Sequence, residues 1–223
     1  MKTVILIDGA FFIKRFRKFN PLHATDAKRA AQLACRFALL HLREKSRNNS
    51  KHDNELYRIF FYDCPPLEKK MHNPIDKKCV DFSKSDEALF RHELHNELRK
   101  KRKVALRLGR IAPDVAWGFK PAITEKLLKG QLTIAELTPD DVVPNFRQKG
   151  VDMRIGLDIT SIALKKQAER IVLISGDSDF VPAAKFARRE GIDFILDPMW
   201  QSIPSDLFEH IDGLRSTCPH PKK

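Results

Sequence analysis

Acidic side chains recur where short apolar runs end. Val4-Ile5-Leu6-Ile7 leads into Asp8, Ile59-Phe60-Phe61-Tyr62 into Asp63, and Ile171-Val172-Leu173-Ile174 into Ser175-Gly176-Asp177-Ser178-Asp179. Asp158 follows Lys149-Gly150-Val151-Asp152 near the start of an expected helix. If the runs are parallel strands, their carboxyl ends share one edge, and that edge is where such sheets bind ligands. Carboxylates gathered within a few ångströms repel one another and are pushed toward protonation. A bound Mg²⁺ or Mn²⁺ relieves the repulsion, taking one or two carboxylates directly and keeping several waters. Two such ions can activate a water and stabilise the leaving oxygen in phosphodiester cleavage. The spacing Asp177-x-Asp179 after an extended strand lets both acids face one ion. Asp8, Asp63, Asp158, Asp177 and Asp179 are therefore the acids that could meet at one metal site.

Each acid also has a plainer role. Asp179 could cap a helix over 180–190 with Pro182 in its first turn. Asp8-Gly9 and Asp63 could be turn residues, and Asp152 and Asp158 could be acids answering a helix dipole. Only their joint occurrence argues for a site.

The elements expected around them alternate. Strands are expected at 2–7, 56–62, near 103–108, 170–175 and 192–196. Helices are expected at 11–19, 26–45, from 85 to about 101, 157–168 and 179–190, with short ones near 122–129 and 204–210. Asn48-Asn49-Ser50 is expected to break the second helix, and 64–82 reads as a loop. Apolar strands alternating with amphipathic helices imply an α/β fold with a central, mainly parallel sheet covered on both faces. The reading is one domain over residues 1–215, with 109–145, which holds Trp117 and four prolines, as a surface elaboration. Residues 216–223 read as a frayed tail.

With 223 residues the chain can bury a substantial core. Its apolar runs are too short to span a membrane, and its start lacks the features of a signal peptide. Cys35, Cys64, Cys79 and Cys218 form no metal-ligand pattern, and His92 and His95 lack a third ligand, so reduced thiols in a cytoplasmic protein are expected. The net charge of +12 favours a polyanionic partner.

Val4-Ile5-Leu6-Ile7-Asp8-Gly9-Ala10, the Lys149–Asp158 segment and Ser175-Gly176-Asp177-Ser178-Asp179-Phe180-Val181-Pro182 together resemble, in that order, the three motifs of the NYN domain family, in its LabA-like branch within the PIN-like nucleases. Arg58–Asp63 with Pro65-Pro66 is similar to the family's second strand. The resemblance spans about residues 1–200. It implies a PIN-like three-layer α/β/α fold and a ribonuclease site using Mg²⁺ or Mn²⁺. It matches Asp8, Asp158, Asp177 and Asp179 to metal-site acids, Asp152 to a further motif acid, and Lys149 and Ser175 to supporting positions. One departure is Phe11, where many relatives carry an Asn that could hold a water or a phosphate.

The expected partner is RNA, single-stranded in preference to duplex, with a homodimer left open. Lys14, Arg15, Arg17 and Lys18 start from the acidic edge and suit the phosphates flanking a cut bond. Arg99, Lys100, Lys101, Arg102 and Lys103 form a second cluster, although such runs are most often solvated helix faces. Tyr62 or Trp200 could stack an unpaired base, while Phe11, Phe12, Phe16 and Phe19 suit core packing at helical spacing. The rival readings are a PIN-like binding or regulatory module without turnover and a small-substrate phosphohydrolase.

Overall fold

A computed structural model describes residues 1–43 and 54–220. The expected helix residues 44–45, the break at 48–50 and the last tail residues 221–223 lie outside the described residues.

The first strand, β1 (Lys2–Asp8), is β-branched and buried on both faces, as a central parallel strand should be. It is followed by α1 (Gly9–Phe19), α2 (Ala27–Leu40), β2 (Glu55–Asp63), β3 (Lys70–His72), β4 (Cys79–Asp81), α3 (Asp86–Arg99) and β5 (Val104–Leu108). Then come β6 (Arg110–Ile111), β7 (Ala116–Phe119), α4 (Pro121–Leu128), β8 (Val142–Asn145), β9 (Gln148–Lys149) and α5 (Val151–Leu164). The chain closes with β10 (Arg170–Ile174), α6 (Val181–Arg189), β11 (Asp193–Asp197), α7 (Ser205–Phe208) and β12 (Gly213–Leu214).

Six strands form one parallel sheet in the order β12-β11-β10-β1-β2-β5. Alternation along β1 divides the core. Val4 and Leu6 face the layer of α5 and α6, where Ile155, Ile159, Ile162, Ala184 and Ala187 are buried. Ile5 and Ile7 face the layer of α1, α2 and α3, packed by Phe12, Phe16, Phe37, Phe90, Leu94 and Leu98. Burying each of the Val, Leu, Ile and Phe side chains contributes about 1.5–3 kcal/mol. The expected α/β/α layering is therefore present. On α2, Ala27, Ala30, Ala31, Ala34 and Ala38 make a buried small-residue stripe.

Two expectations are corrected here. The stretch 64–82 is not all loop, because β3 and β4 pair as an antiparallel hairpin. The segment 216–220 is not frayed: Thr217 donates its hydroxyl to the Phe37 carbonyl at 3.0 Å, and Trp200 Nε1 donates to the Cys218 carbonyl at 2.8 Å. The elaboration between β5 and α5 consists of two antiparallel ribbons, β6–β9 and β7–β8, with α4 between the strands of the second. Gly109 closes its base, since a Cβ there would lie 2.7 Å from the Lys149 carbonyl. Among the described residues no helix is long and apolar enough to cross a membrane.

Candidate active site

The end of β1 passes directly into α1. Asp8 serves as the N-cap, its Oδ1 accepting the Phe11 N–H at 3.1 Å. Only glycine fits next, because a Cβ on Gly9 would strike the Tyr62 carbonyl and the Phe61 ring. One strand away, fully buried Ser175 donates its hydroxyl to Asp8 Oδ2 at 3.1 Å. Asp8 is thus fixed at both oxygens and almost wholly buried. Burial pushes its pKa up to about 6, against the lowering effect of the Phe11 N–H and the Ser175 hydroxyl, and the negative charges of Asp152 and Asp177 push it further the same way.

Asp177 follows β10, is exposed, and accepts the Asp179 N–H at 3.0 Å, starting the turn into α6. Asp152 lies in the first turn of α5, where Gly150, at φ 82°, is the N-cap. Burial raises the Asp152 pKa, helped by Asp177 and Asp179. Asp8, Asp152, Asp177 and Asp179 are therefore electrostatically coupled at one edge of the sheet. Asp8, Asp177, Ser175, Lys14, Phe11 and Gln201 line an open cleft there. A Cβ on Gly176 would lie 3.1 Å from the Phe11 ring and 3.3 Å from Gln201 Nε2, so both side chains close over that glycine.

Asp158, expected among the metal acids, does not lie with this group. It is six residues beyond Asp152 on α5, about 9 Å along the axis and turned well away from it. Tyr62 donates its hydroxyl to Asp158 Oδ2 at 2.7 Å, and Arg107 Nε lies 3.5 Å from the same oxygen. Sequence spacing placed the helix at 157–168, so Asp158 read as a first-turn acid; the helix starts at Val151, and Asp152 holds that position instead. Tyr62 is completely buried, its pKa raised by burial, and stacks no base.

Two further acids end strands at the same edge, and both are bound internally by basic side chains. Asp63 pairs with Arg91 through Oδ1 and with His95 through Oδ2, the latter at 2.7 Å. Asp197, ending β11, was not foreseen. It meets His41 Nε2 at 2.8 Å and accepts the Met199 N–H at 2.8 Å and the Thr217 hydroxyl at 3.1 Å. Its signal was available in the run Phe194-Ile195-Leu196-Asp197, which repeats the apolar-run-to-acid pattern. Nothing in the sequence points to Gln201. Met199 and Trp200, at φ 47° and 63°, precede it.

Residues 118–212 match the NYN domain family. This stretch of the chain is similar to an NYN domain. The match includes Asp152, Asp177 and Asp179, while Asp8 lies before it on the same sheet. A crystal structure of a protein of unknown function from Vibrio parahaemolyticus is similar at 16% identity and a TM-score of 0.45, covering 96% of this chain and 91% of that one. No curated protein matches in sequence. The similarity points toward the PIN-like nucleases, enzymes that generally act on RNA and usually employ divalent metals.

Asp8, Asp152, Asp177 and Asp179 fit such an ion by donor chemistry, since all four offer hard carboxylate oxygens. Among the described residues no three His, Cys, Asp or Glu side chains form a ready-made cage. The fit is to an ion held by one or two carboxylates and water, the usual manner for Mg²⁺.

The basic residues separate into distinct groups. Lys14 is exposed and lines the cleft, and Lys18 is exposed one turn further along α1. Arg15 is buried, donates from Nε to the Met199 carbonyl at 3.1 Å and lies over the Phe19 ring. Arg17 pairs with Glu87 at 2.6 Å and lies over the Phe90 ring. Arg15, expected on RNA, is thus held internally, while Arg17 sits partly exposed in a surface pair with Glu87. Arg99, Lys100, Lys101, Arg102 and Lys103 precede β5, whose Val104 pairs with Ile59 while Leu108 is level with Asp63. They therefore sit at the end of the sheet opposite the acids. Lys149 is exposed in β9, two residues before α5 begins.

Proposed function

We propose that this protein is a metal-dependent endoribonuclease of the LabA-like NYN branch, cleaving single-stranded RNA at the acidic cleft. One observation carries the proposal. Of the acids at the sheet's carboxyl edge, Asp63 is bound by Arg91 and His95 and Asp197 by His41, whereas Asp8, Asp152, Asp177 and Asp179 have no basic partner in any ion pair among the described residues. A fold that gives two edge acids internal basic partners and leaves four mutually repelling ones without them keeps those four for a cation it does not itself supply.

Asp8 and Asp177 would hold Mg²⁺ or Mn²⁺, with Asp179 as a further oxygen donor; when bound, the ion supplies positive charge to the scissile phosphate and acidifies a water. The chain's own groups do the rest. The Phe11 N–H and the Ser175 hydroxyl fix both oxygens of Asp8, so that acid is preorganised. Lys14 provides a fixed cation on the cleft wall for a neighbouring phosphate. Asp152, raised by burial and by its acidic neighbours, accepts the proton of the attacking water through its carboxylate. The new bond joins water oxygen to phosphorus, and the bond to the leaving ribose oxygen breaks. All four acids come from one chain, so a second copy adds none of them. The four free thiols accord with a reducing, cytoplasmic setting.

The test is cleavage of a labelled single-stranded RNA by purified protein in Mn²⁺, in Mg²⁺ and in excess EDTA. Cleavage in either metal, abolished by EDTA and by Asp177→Asn, supports the reading. Equal cleavage in EDTA removes the metal mechanism.

A second reading, an RNA-binding module without turnover, is favoured by one feature. Phe11 covers Gly176 where many relatives carry Asn. Calorimetric titration separates the two, since this reading requires no Mn²⁺ or Mg²⁺ binding at millimolar concentration.

A further inference from the structure

Away from the acids, a cavity of about 670 Å³ opens between the end of α1, the outer face of α2 and the segment 217–220. Its wall is apolar and aromatic, with Phe19, Leu33, Phe37 and Leu40. Its cations are Lys18, Arg29 and Arg36, all exposed, and none has an ion-pair partner among the described residues. Among the described residues no acidic side chain lines it. Three unpaired cations around an aromatic floor suit a ligand with a flat apolar part and a negative group, a description met by a nucleotide unit.

Its placement connects it to the cleft. Lys14 lines the cleft and Lys18 lines the cavity, and residues four apart share one helix face about 6 Å apart. The cavity wall is also held in place. Arg15, anchored on the Met199 carbonyl, lies 4.8 Å over the Phe19 ring. The Thr217 hydroxyl reaches the Phe37 carbonyl, and the Trp200 ring packs on His220 at 4.7 Å between centroids.

We propose that this cavity is an RNA exosite. It takes a base of the substrate strand against Phe19, with the adjoining phosphates on Lys18, Arg29 and Arg36, a few nucleotides from the cut bond. Lys14 carries the strand between the two sites. The inference rests on the reading of the chain as an RNA-cleaving protein and adds where the strand runs and which residues set the length it needs. A trinucleotide reaches only the cleft, whereas a longer strand engages both sites.

The experiment uses the intact chain in EDTA, so that binding is measured without cleavage. Fluorescence anisotropy is recorded with labelled uridine oligomers of about three and about ten nucleotides. Arg29→Glu combined with Arg36→Glu should weaken the longer strand by about tenfold and the trimer by less than about twofold. Lys120→Glu combined with Lys126→Glu on α4 makes the same change in net charge and should weaken the longer strand by less than about threefold. A longer strand carrying 4-thiouridine should crosslink to the peptide holding Phe19 or to the segment 217–220. Equal losses from the two double variants, or crosslinks confined to the acidic cleft, would overturn the exosite. If the wild-type chain neither binds the longer strand nor cuts it in Mn²⁺, the RNA reading itself fails. If it binds and cuts while the Arg29 and Arg36 variants are indifferent, only the exosite fails.

Discussion

Ser175 donates its hydroxyl to Asp8 across 3.1 Å, joining the ends of two neighbouring parallel strands, β1 and β10. The bond stabilises the charged form of a carboxyl that burial pushes toward protonation. Removing the hydroxyl with Ser175→Ala should shift the Asp8 pKa further upward. The acid limb of the pH profile of kcat/KM should then move to higher pH, with the rate near pH 6 falling severalfold and the alkaline plateau less affected. A profile that drops uniformly at all pH values would show that Ser175 does not act through Asp8.

Asp8 itself couples activity against stability. Its folded pKa of about 6 exceeds the ordinary value of 3.8, so the folded protein binds this proton more tightly than the unfolded chain. The stabilisation from the protonated form is complete below about pH 4 and lost as pH rises through about 6. Asp8→Asn keeps a cap oxygen for the Phe11 N–H while removing the charge. In EDTA at pH 7.5 it should raise the unfolding free energy by on the order of 2 kcal/mol, with the gain absent at pH 4. The same variant should lower cleavage by about a hundredfold or more. Urea unfolding at both pH values, alongside a cleavage assay, checks this, and a variant less stable than wild type at pH 7.5 would contradict it.

Asp152 and Asp158 separate by function. Asp158→Asn keeps an oxygen for the Tyr62 hydroxyl and should leave cleavage within about twofold of wild type, a surface-like outcome for a group outside the cleft. Asp152→Asn removes the proposed proton acceptor and should lower kcat by about a hundredfold. The opposite ranking in single-turnover assays would restore Asp158 to the site.

Asp63 should prove structural. It is completely buried between Arg91 and His95, so Asp63→Ala leaves the Arg91 guanidinium without its counter-charge and the His95 ring without its hydrogen-bond partner. A loss of about 3 kcal/mol in urea unfolding is expected. Mn²⁺ affinity of the folded fraction should be unchanged by calorimetry, and a large drop in affinity would place Asp63 in the cation site.

Much of this was legible in the amino-acid order. The β-branched runs ending in Asp8 and Asp63, and the run before Asp177, announce buried parallel strands and an acidic edge, because strand burial and chain direction leave a local imprint. The helix starting at Asp26 is likewise local, with Asp26 Oδ1 accepting the Arg29 N–H at 2.8 Å. The start of α5 was not legible, since the β6–β9 ribbon and the tight contact of Gly109 with Lys149 set it through residues forty positions apart.

What the sequence by itself determined was the kind of fold and the presence of strand-end acids, both fixed by hydrophobic periodicity and residue type. Only the tertiary structure decided which acids remain free. The basic partners of Asp63 come from α3, and His41, the partner of Asp197, from just beyond α2, far along the chain. The charge of a buried carboxyl depends on what packs around it, and packing brings together residues whose separation in sequence carries no mark of the contact.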